Sequence, residues 1–138
     1  MGSSEDRVTP RSLEQSLDEA QSPDWQRRSA AASALAAHVD EPVAVEQLVK
    51  LLDDADTAVI DEAARSLATA AGLPGLAEVL TALATSQDDV GYHLRDTLVG
   101  LWLDGSPILE RCRAVLAAGF GPQARAGASE MISILAGE

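Results

Sequence analysis

Asp56-Thr57-Ala58-Val59-Ile60-Asp61-Glu62-Ala63-Ala64-Arg65-Ser66-Leu67 is the stretch that decides the fold. Val59, Ala63 and Leu67 recur at helical spacing and share one face of a helix. The Ala63-Ala64 pair keeps that face thin, so another backbone can approach it closely. Asp56-Thr57 places an acceptor side chain where the first amides of a helix have no partner. The pattern, D-x-x-V-x-x-x-A-A-x-x-L, also stands 32 residues upstream in Asp24-Trp25-Gln26-Arg27-Arg28-Ser29-Ala30-Ala31-Ala32-Ser33-Ala34-Leu35. It returns more weakly in Gly121-Pro122-Gln123-Ala124-Arg125-Ala126-Gly127-Ala128-Ser129-Glu130-Met131-Ile132.

The segments before these stretches align too. Leu13, Leu17 and Ala20 fall in register with Val45, Val49 and Leu52, then with Leu80 and Leu83, and then with Cys112, Val115 and Leu116. Six prolines, Pro10, Pro23, Pro42, Pro74, Pro107 and Pro122, each precede a helix-period pattern. Thr9, Ser22 and Ser106 are expected N-caps, and Asp56-Thr57 and Asp88-Asp89 open two further helices. Gly72, Gly105 and Gly119 mark helix stops. No segment carries the alternating β-branched signature of a strand. The chain thus reads as eight helices, near residues 10–20, 23–38, 42–53, 57–71, 75–85, 89–104, 107–118 and 122–136. Short loops make successive helices antiparallel hairpins. A repeat of this length marks a solenoid, in which each two-helix unit buries its apolar face only against its neighbours. The expected fold is all-α, an α-solenoid of about four antiparallel helix pairs. Residues 1–9 are expected to form a disordered tail and 10–138 a single domain.

Val59…Ala63-Ala64…Leu67, preceded by Asp56, resembles the second helix of a HEAT repeat. The chain is similar to the HEAT/armadillo family of helical repeats over nearly all of residues 10–136. The arginine common beside the family's valine stands here as Arg28 and Arg125, but its place in the second unit is taken by Ile60. The third unit, Asp89-Val90-Gly91-Tyr92-His93-Leu94-Arg95-Asp96-Thr97-Leu98, keeps the apolar stripe and loses the Ala-Ala pair. The resemblance implies that the second helices line one face and that partners sit there. It is specific for architecture and not for function.

Aromatic residues make up 3% of the chain, so the core must be aliphatic. The net charge is −12, a surface that a phosphate backbone or an anionic membrane would repel. The partner expected is another protein, of basic character, because opposite charge steers encounter. Cys112, the one cysteine, lies on an apolar stripe and reads as a buried structural thiol. The N-terminal residues lack the apolar region of a signal peptide, and no run is long enough to span a bilayer, which together point to the cytosol. Trp25 and Trp102 read as core or capping residues.

Catalytic and metal signatures are missing. His38 and His93 stand in different units with no ligand spacing to Cys112, so no metal and no cofactor is expected. Asp53, Asp54 and Asp56 read as a cap for the next helix. With Val59, Ala63 and Leu67 inward, a turn of about 100° per residue puts Asp61, Glu62, Arg65 and Thr69 outward. The same register exposes Ser29 and Ser33, then Tyr92, His93 and Asp96, then Gln123 and Glu130. The off-pattern third unit makes Glu62, Arg65, Tyr92, His93 and Asp96 the expected partner-binding patch. The leading functional expectation is a non-enzymatic protein-binding module, in its sharper form a stoichiometric inhibitor of the immunity or antitoxin type. The alternatives are a HEAT-like lyase, built around Asp96 and Tyr92, and an accessory subunit of a larger complex.

Overall fold

The computed structural model describes residues 11–86 and 89–137. Among them lie eight helices and no strand: α1 (Leu13–Glu19), α2 (Trp25–Leu35, continued by a 3-10 turn, Ala36–His38), α3 (Pro42–Leu51), α4 (Thr57–Ala70), α5 (Gly72–Thr85), α6 (Asp89–Leu103), α7 (Ile108–Ala117) and α8 (Pro122–Ala136). The all-α solenoid of four helix pairs is the observed fold. The expectations for Thr9, Pro10, Asp88 and the N-terminal tail fall outside the described residues.

Local chemistry sets most of the boundaries. Asp56 Oδ1 accepts from the Ala58 amide at 2.9 Å and so opens α4. Asp24 does the same for α2, accepting from Gln26 at 2.9 Å. Ser22 was expected in that role, but its hydroxyl accepts from the Asp24 amide at 3.1 Å, two residues before the helix begins to need it. At α1 a capping box forms: Ser12 Oγ accepts from the Gln15 amide and Gln15 Oε1 from the Ser12 amide, each at 3.0 Å. Pro42 and Pro122 stand in the first turns of α3 and α8, as the missing amide permits. Pro107, not Ser106, is the N-cap residue of α7, and no side chain caps that end. Helix α5 begins earlier than expected, at Gly72, whose φ of +67° turns the chain sharply out of α4.

Within each pair the helices pack as a hairpin, and α2, α4 and α6 stack side by side. Their facing surfaces are fully buried and small: Ala31, Ala32, Ala63 and Ala64 are all 0% exposed. Ser66 sits between them and donates to the Ala32 carbonyl at 2.8 Å, which satisfies its buried hydroxyl. Larger buried side chains, among them Leu35, Leu48, Leu67, Leu80, Leu98 and Met131, fill the space between the two layers. Ile60, where the family pattern has arginine, is one of these core residues.

Helix α8 breaks the stacking rule. It lies chiefly along α5, in the most extensive helix–helix contact of the molecule, instead of continuing the row after α6. Gly127 makes this possible. A Cβ there would sit 2.2 Å from the Leu80 carbonyl oxygen of α5, so only a glycine lets the two backbones come this close. The tie between α6 and α8 is an Arg95–Glu130 ion pair.

Arginines lock the units together. Arg28 grips Asp54 with two bonds, Nε to Oδ2 at 2.9 Å and Nη2 to Oδ1 at 3.1 Å, and donates to the Ser22 carbonyl at 2.9 Å. Arg111 of α7 reaches the carbonyls of Ala68, near the end of α4, and Gly72, at the start of α5. Arg125 donates to the Leu116 carbonyl at 2.6 Å. Burial works to raise the Asp54 carboxyl, but the Arg28 hydrogen bond, the Asp56 amide and the guanidinium charge outweigh it and hold Asp54 below the usual carboxylate range. A carboxyl depressed in the folded state stabilises at pH above its unfolded value, and that share is lost as pH falls through the folded value. Acid unfolding of the wild type should therefore include a loss in this window that Asp54→Asn, destabilised already at neutral pH, does not show. Thermal melts across acid pH read it, and parallel curves for the two proteins would contradict it.

Cys112 is 0% exposed, and burial pushes its thiol up to about 11 against the opposing charge of Arg111. It stays protonated at neutral pH and acts as a small core hydrophobe, as expected from the stripe it occupies. Trp102 is half-buried against the core. Trp25, the first residue of α2, is 43% exposed and is not core.

Candidate functional site

The side-by-side packing of α4 and α6 leaves a groove of about 390 Å³ lined by Thr57, Ala58, Asp61, Arg65, His93, Asp96 and Thr97. Its floor is a short polar chain. Thr97 Oγ1 donates to Asp61 Oδ1 at 2.6 Å, with the His93 carbonyl 3.0 Å away as a second acceptor. The other Asp61 oxygen takes the Arg65 Nε at 3.0 Å, one turn along α4. The Asp61 bond holds the Arg65 guanidinium at the groove wall. The exposed Asp96 carboxylate and the half-buried His93 imidazole face it from α6. The groove thus offers fixed donors and acceptors side by side, the lining suited to a polar protein surface and not to an apolar small molecule.

Of the five residues expected to form the patch, three, Arg65, His93 and Asp96, line this groove together. Glu62 does not line it; one residue on from Asp61, it is rotated about 100° around α4 and is half-buried there. Tyr92 is 65% exposed and also lies outside the groove. Its ring is 6.0 Å from the Arg95 guanidinium, which in turn meets Glu130. The five residues therefore do not form one surface: Arg65, His93 and Asp96 line the groove, and Tyr92 stands with Arg95 and Glu130 on the side of α6 nearer α8. Thr57, Ala58 and Thr97 were not among the expected outward positions, and Asp61 was placed outward but left out of the expected patch. Thr97 was within reach, because it stands one turn after His93 on the same face.

The register argument predicts the outward positions of the second helices. None of Ser29, Ser33, Asp61, Glu62, Arg65, Thr69, Tyr92, His93, Asp96, Gln123 and Glu130 is buried. His38 has a structural partner, with Nε2 donating to the Arg11 carbonyl at 2.9 Å. Asp53 is exposed, while Asp54 and Asp56 serve the clamp and the cap. Among the described residues no group of three or more His, Cys, Asp or Glu is placed to hold a metal ion. No helix among them is long and apolar enough to cross a membrane.

A family model described as HEAT repeats matches residues 12–97, from the N-cap of α1 to the middle of α6. The match stops before α7 and α8, the pair whose packing departs from the row. No curated protein and no solved structure matches the chain.

Proposed function

The chain belongs to the HEAT-repeat family, and from that premise we propose that it is a non-enzymatic protein-binding module for a basic protein, gripped along the α4–α6 groove. HEAT repeats serve as protein-interaction modules, and the finer reading rests on one observation: where the charges are. Arg11, Arg28, Arg65 and Arg95 are paired with Glu19, Asp54, Asp61 and Glu130, and Arg111 and Arg125 are engaged by backbone carbonyls. Most of the cationic charge thus has a partner within the molecule. Exposed carboxylates such as Asp40, Glu41, Asp53, Glu78, Asp96, Asp104 and Glu110 carry the net −12 to the surface. A partner meeting this surface gains from being basic, first in encounter rate.

The sharper form of the proposal is a stoichiometric inhibitor of such a partner. A module with a strong field of one sign suits fast, charge-steered neutralisation of a basic protein. A lyase is disfavoured, because Asp96 stands in a polar groove and Tyr92 stands outside it.

The test is affinity capture followed by binding measurements on the purified captured protein. The expected partner carries net positive charge and binds more weakly as salt rises. Asp96→Lys should weaken binding at least tenfold, the scale of a charge pair turned repulsive. Tyr92→Ala should weaken it by about 2 kcal/mol, roughly thirtyfold, if the aromatic cluster is part of the same footprint. A partner of acidic charge, or affinity indifferent to salt and to Asp96→Lys, overturns the reading. Titration of the partner's activity to an end point at one equivalent supports inhibition.

A further inference from the structure

A second cleft, of about 460 Å³, lies on the opposite, first-helix side, between α3, α5 and the start of α6. It belongs neither to the α4–α6 groove nor to the reading built on it. Its polar lining consists of Asp53, Glu78, Thr81, Thr85 and Ser86. Every one of these groups is an acceptor. The carboxylates of Asp53 and Glu78 offer oxygen acceptors. The Thr81 hydroxyl donates to the Ala77 carbonyl and the Thr85 hydroxyl to the Thr81 carbonyl, each at 2.8 Å, and Ser86 Oγ donates to the Ala82 carbonyl. With their hydrogens turned back into α5, these hydroxyls have only lone pairs left for a ligand.

The helices add to this. Thr81, Ala82 and Thr85 lie in the last turns of α5, and Val49, Leu52 and Asp53 lie at the end of α3, so two negative helix ends converge on the cleft. α5 has no basic residue in its last turn to offset its end. Lys50, in the last turn of α3, is exposed and does not line the cleft. The positive end of α6 also reaches the rim, where Asp89 in its first turn counters it. Beside these acceptors lie the apolar side chains of Val49, Leu52 and Val90, one wall of aliphatic surface.

We propose that this cleft binds an alkylguanidinium, the terminal group of an arginine side chain, with its aliphatic stem on Val49, Leu52 and Val90 and its head among the acceptors of α3 and α5. A guanidinium has five donors spread in one plane and so meets acceptors arriving from two helices. An ammonium is a more compact and more strongly hydrated charge with three donors. Whether the group comes as free alkylguanidine or on a protein chain, the recognition is the same.

The test compares n-butylguanidinium, n-butylammonium and the neutral n-butylurea by titration of the full chain, read on the methyl resonances of Val49 and Val90. Butylguanidinium should shift them saturably, and butylurea should bind roughly tenfold more weakly or worse, having lost charge-assisted bonds. The double variant Asp53→Asn, Glu78→Gln should weaken butylguanidinium by a similar factor. Both positions are exposed, and an unchanged thermal melt confirms that the variant remains folded. N-acetylarginine methylamide separates the sources: binding as tight as butylguanidinium assigns the cleft to arginine on a chain, and weaker binding assigns it to the free compound. Absence of a saturable shift, equal binding of the urea, tighter binding of the ammonium, or indifference to the double variant each overturns the proposal.

Discussion

Gly127→Ala should lower the melting temperature by about 10 °C. In most helices the same change helps, since alanine is favoured over glycine in a helix interior by about 0.5–1 kcal/mol. At Gly127 the sign reverses, because the new methyl would lie 2.2 Å from the Leu80 carbonyl oxygen and 2.8 Å from its carbon. These are backbone atoms of a buried helix and cannot swing aside, so α8 must lift from α5. Overpacking costs about 1–3 kcal/mol, with a clash against backbone at the upper end, and in a domain of this size each kcal/mol moves the midpoint by roughly 3–4 °C. Gly100→Ala in α6 is the matched control. The nearest neighbour of its new methyl would be Arg65 Nη2 at 3.9 Å, an ordinary contact, so this variant should be slightly more stable than wild type. A Gly127→Ala protein that melts with or above Gly100→Ala would show that α8 does not sit on α5.

Leu67→Ala should cost about 3 kcal/mol, the middle of the range for truncating a buried leucine. Leu67 closes the pattern that first identified the repeat. It is 0% exposed, on a helix that packs against α2, α3, α5 and α6. Neighbours on so many sides leave little freedom to collapse into the space the lost isopropyl group vacates, which keeps the cost off the bottom of that range. Urea unfolding should show a lower midpoint with an unchanged slope, and the volume-conserving Leu67→Met should lose less than about 1.5 kcal/mol. A loss below about 1 kcal/mol for Leu67→Ala would mean that this face is not the core.

Features that depend on neighbours in the chain were legible in the sequence. Asp56 before the apolar stripe, Pro42 and Pro122 at helix starts, and the alternation of buried Val59, Ala63 and Leu67 each follow from spacing alone. Errors appear where two local signals compete. Ser22 and Asp24 both suit an N-cap beside Pro23, and only the backbone geometry selects Asp24. Gly72 suits a helix stop, and it also opens the next helix two residues before Pro74. Packing between units was less legible, because a period implies that every unit stacks like the last. The hint lay in Gly127. In the repeat register it occupies the place of Glu62, an outward position, yet it is buried, which shows that α8 is covered on a side the other second helices leave open.

The candidate site divides in the same way. Asp61 and Arg65 share a face by their four-residue spacing, as do His93 and Thr97, so the groove follows from periodicity once α4 and α6 are neighbours. Tyr92 stands one residue before His93 and is turned about 100° from it. That rotation carries it to Arg95 and out of the groove, although sequence proximity suggested one patch.

The turned fourth pair also bears on how the chain comes apart. In a simple array each unit is held only by the next, and both ends can fray independently of the middle. Here the C-terminal helix reaches back past its neighbour and interlocks with the first helix of the third pair at backbone distance. The third and fourth pairs thereby become one cooperative block, and the opening of α8 requires the loosening of α5, which lies in the interior of the array. Among the described residues α1, a helix of seven residues, has no such lock, so α1 is expected to open before α8.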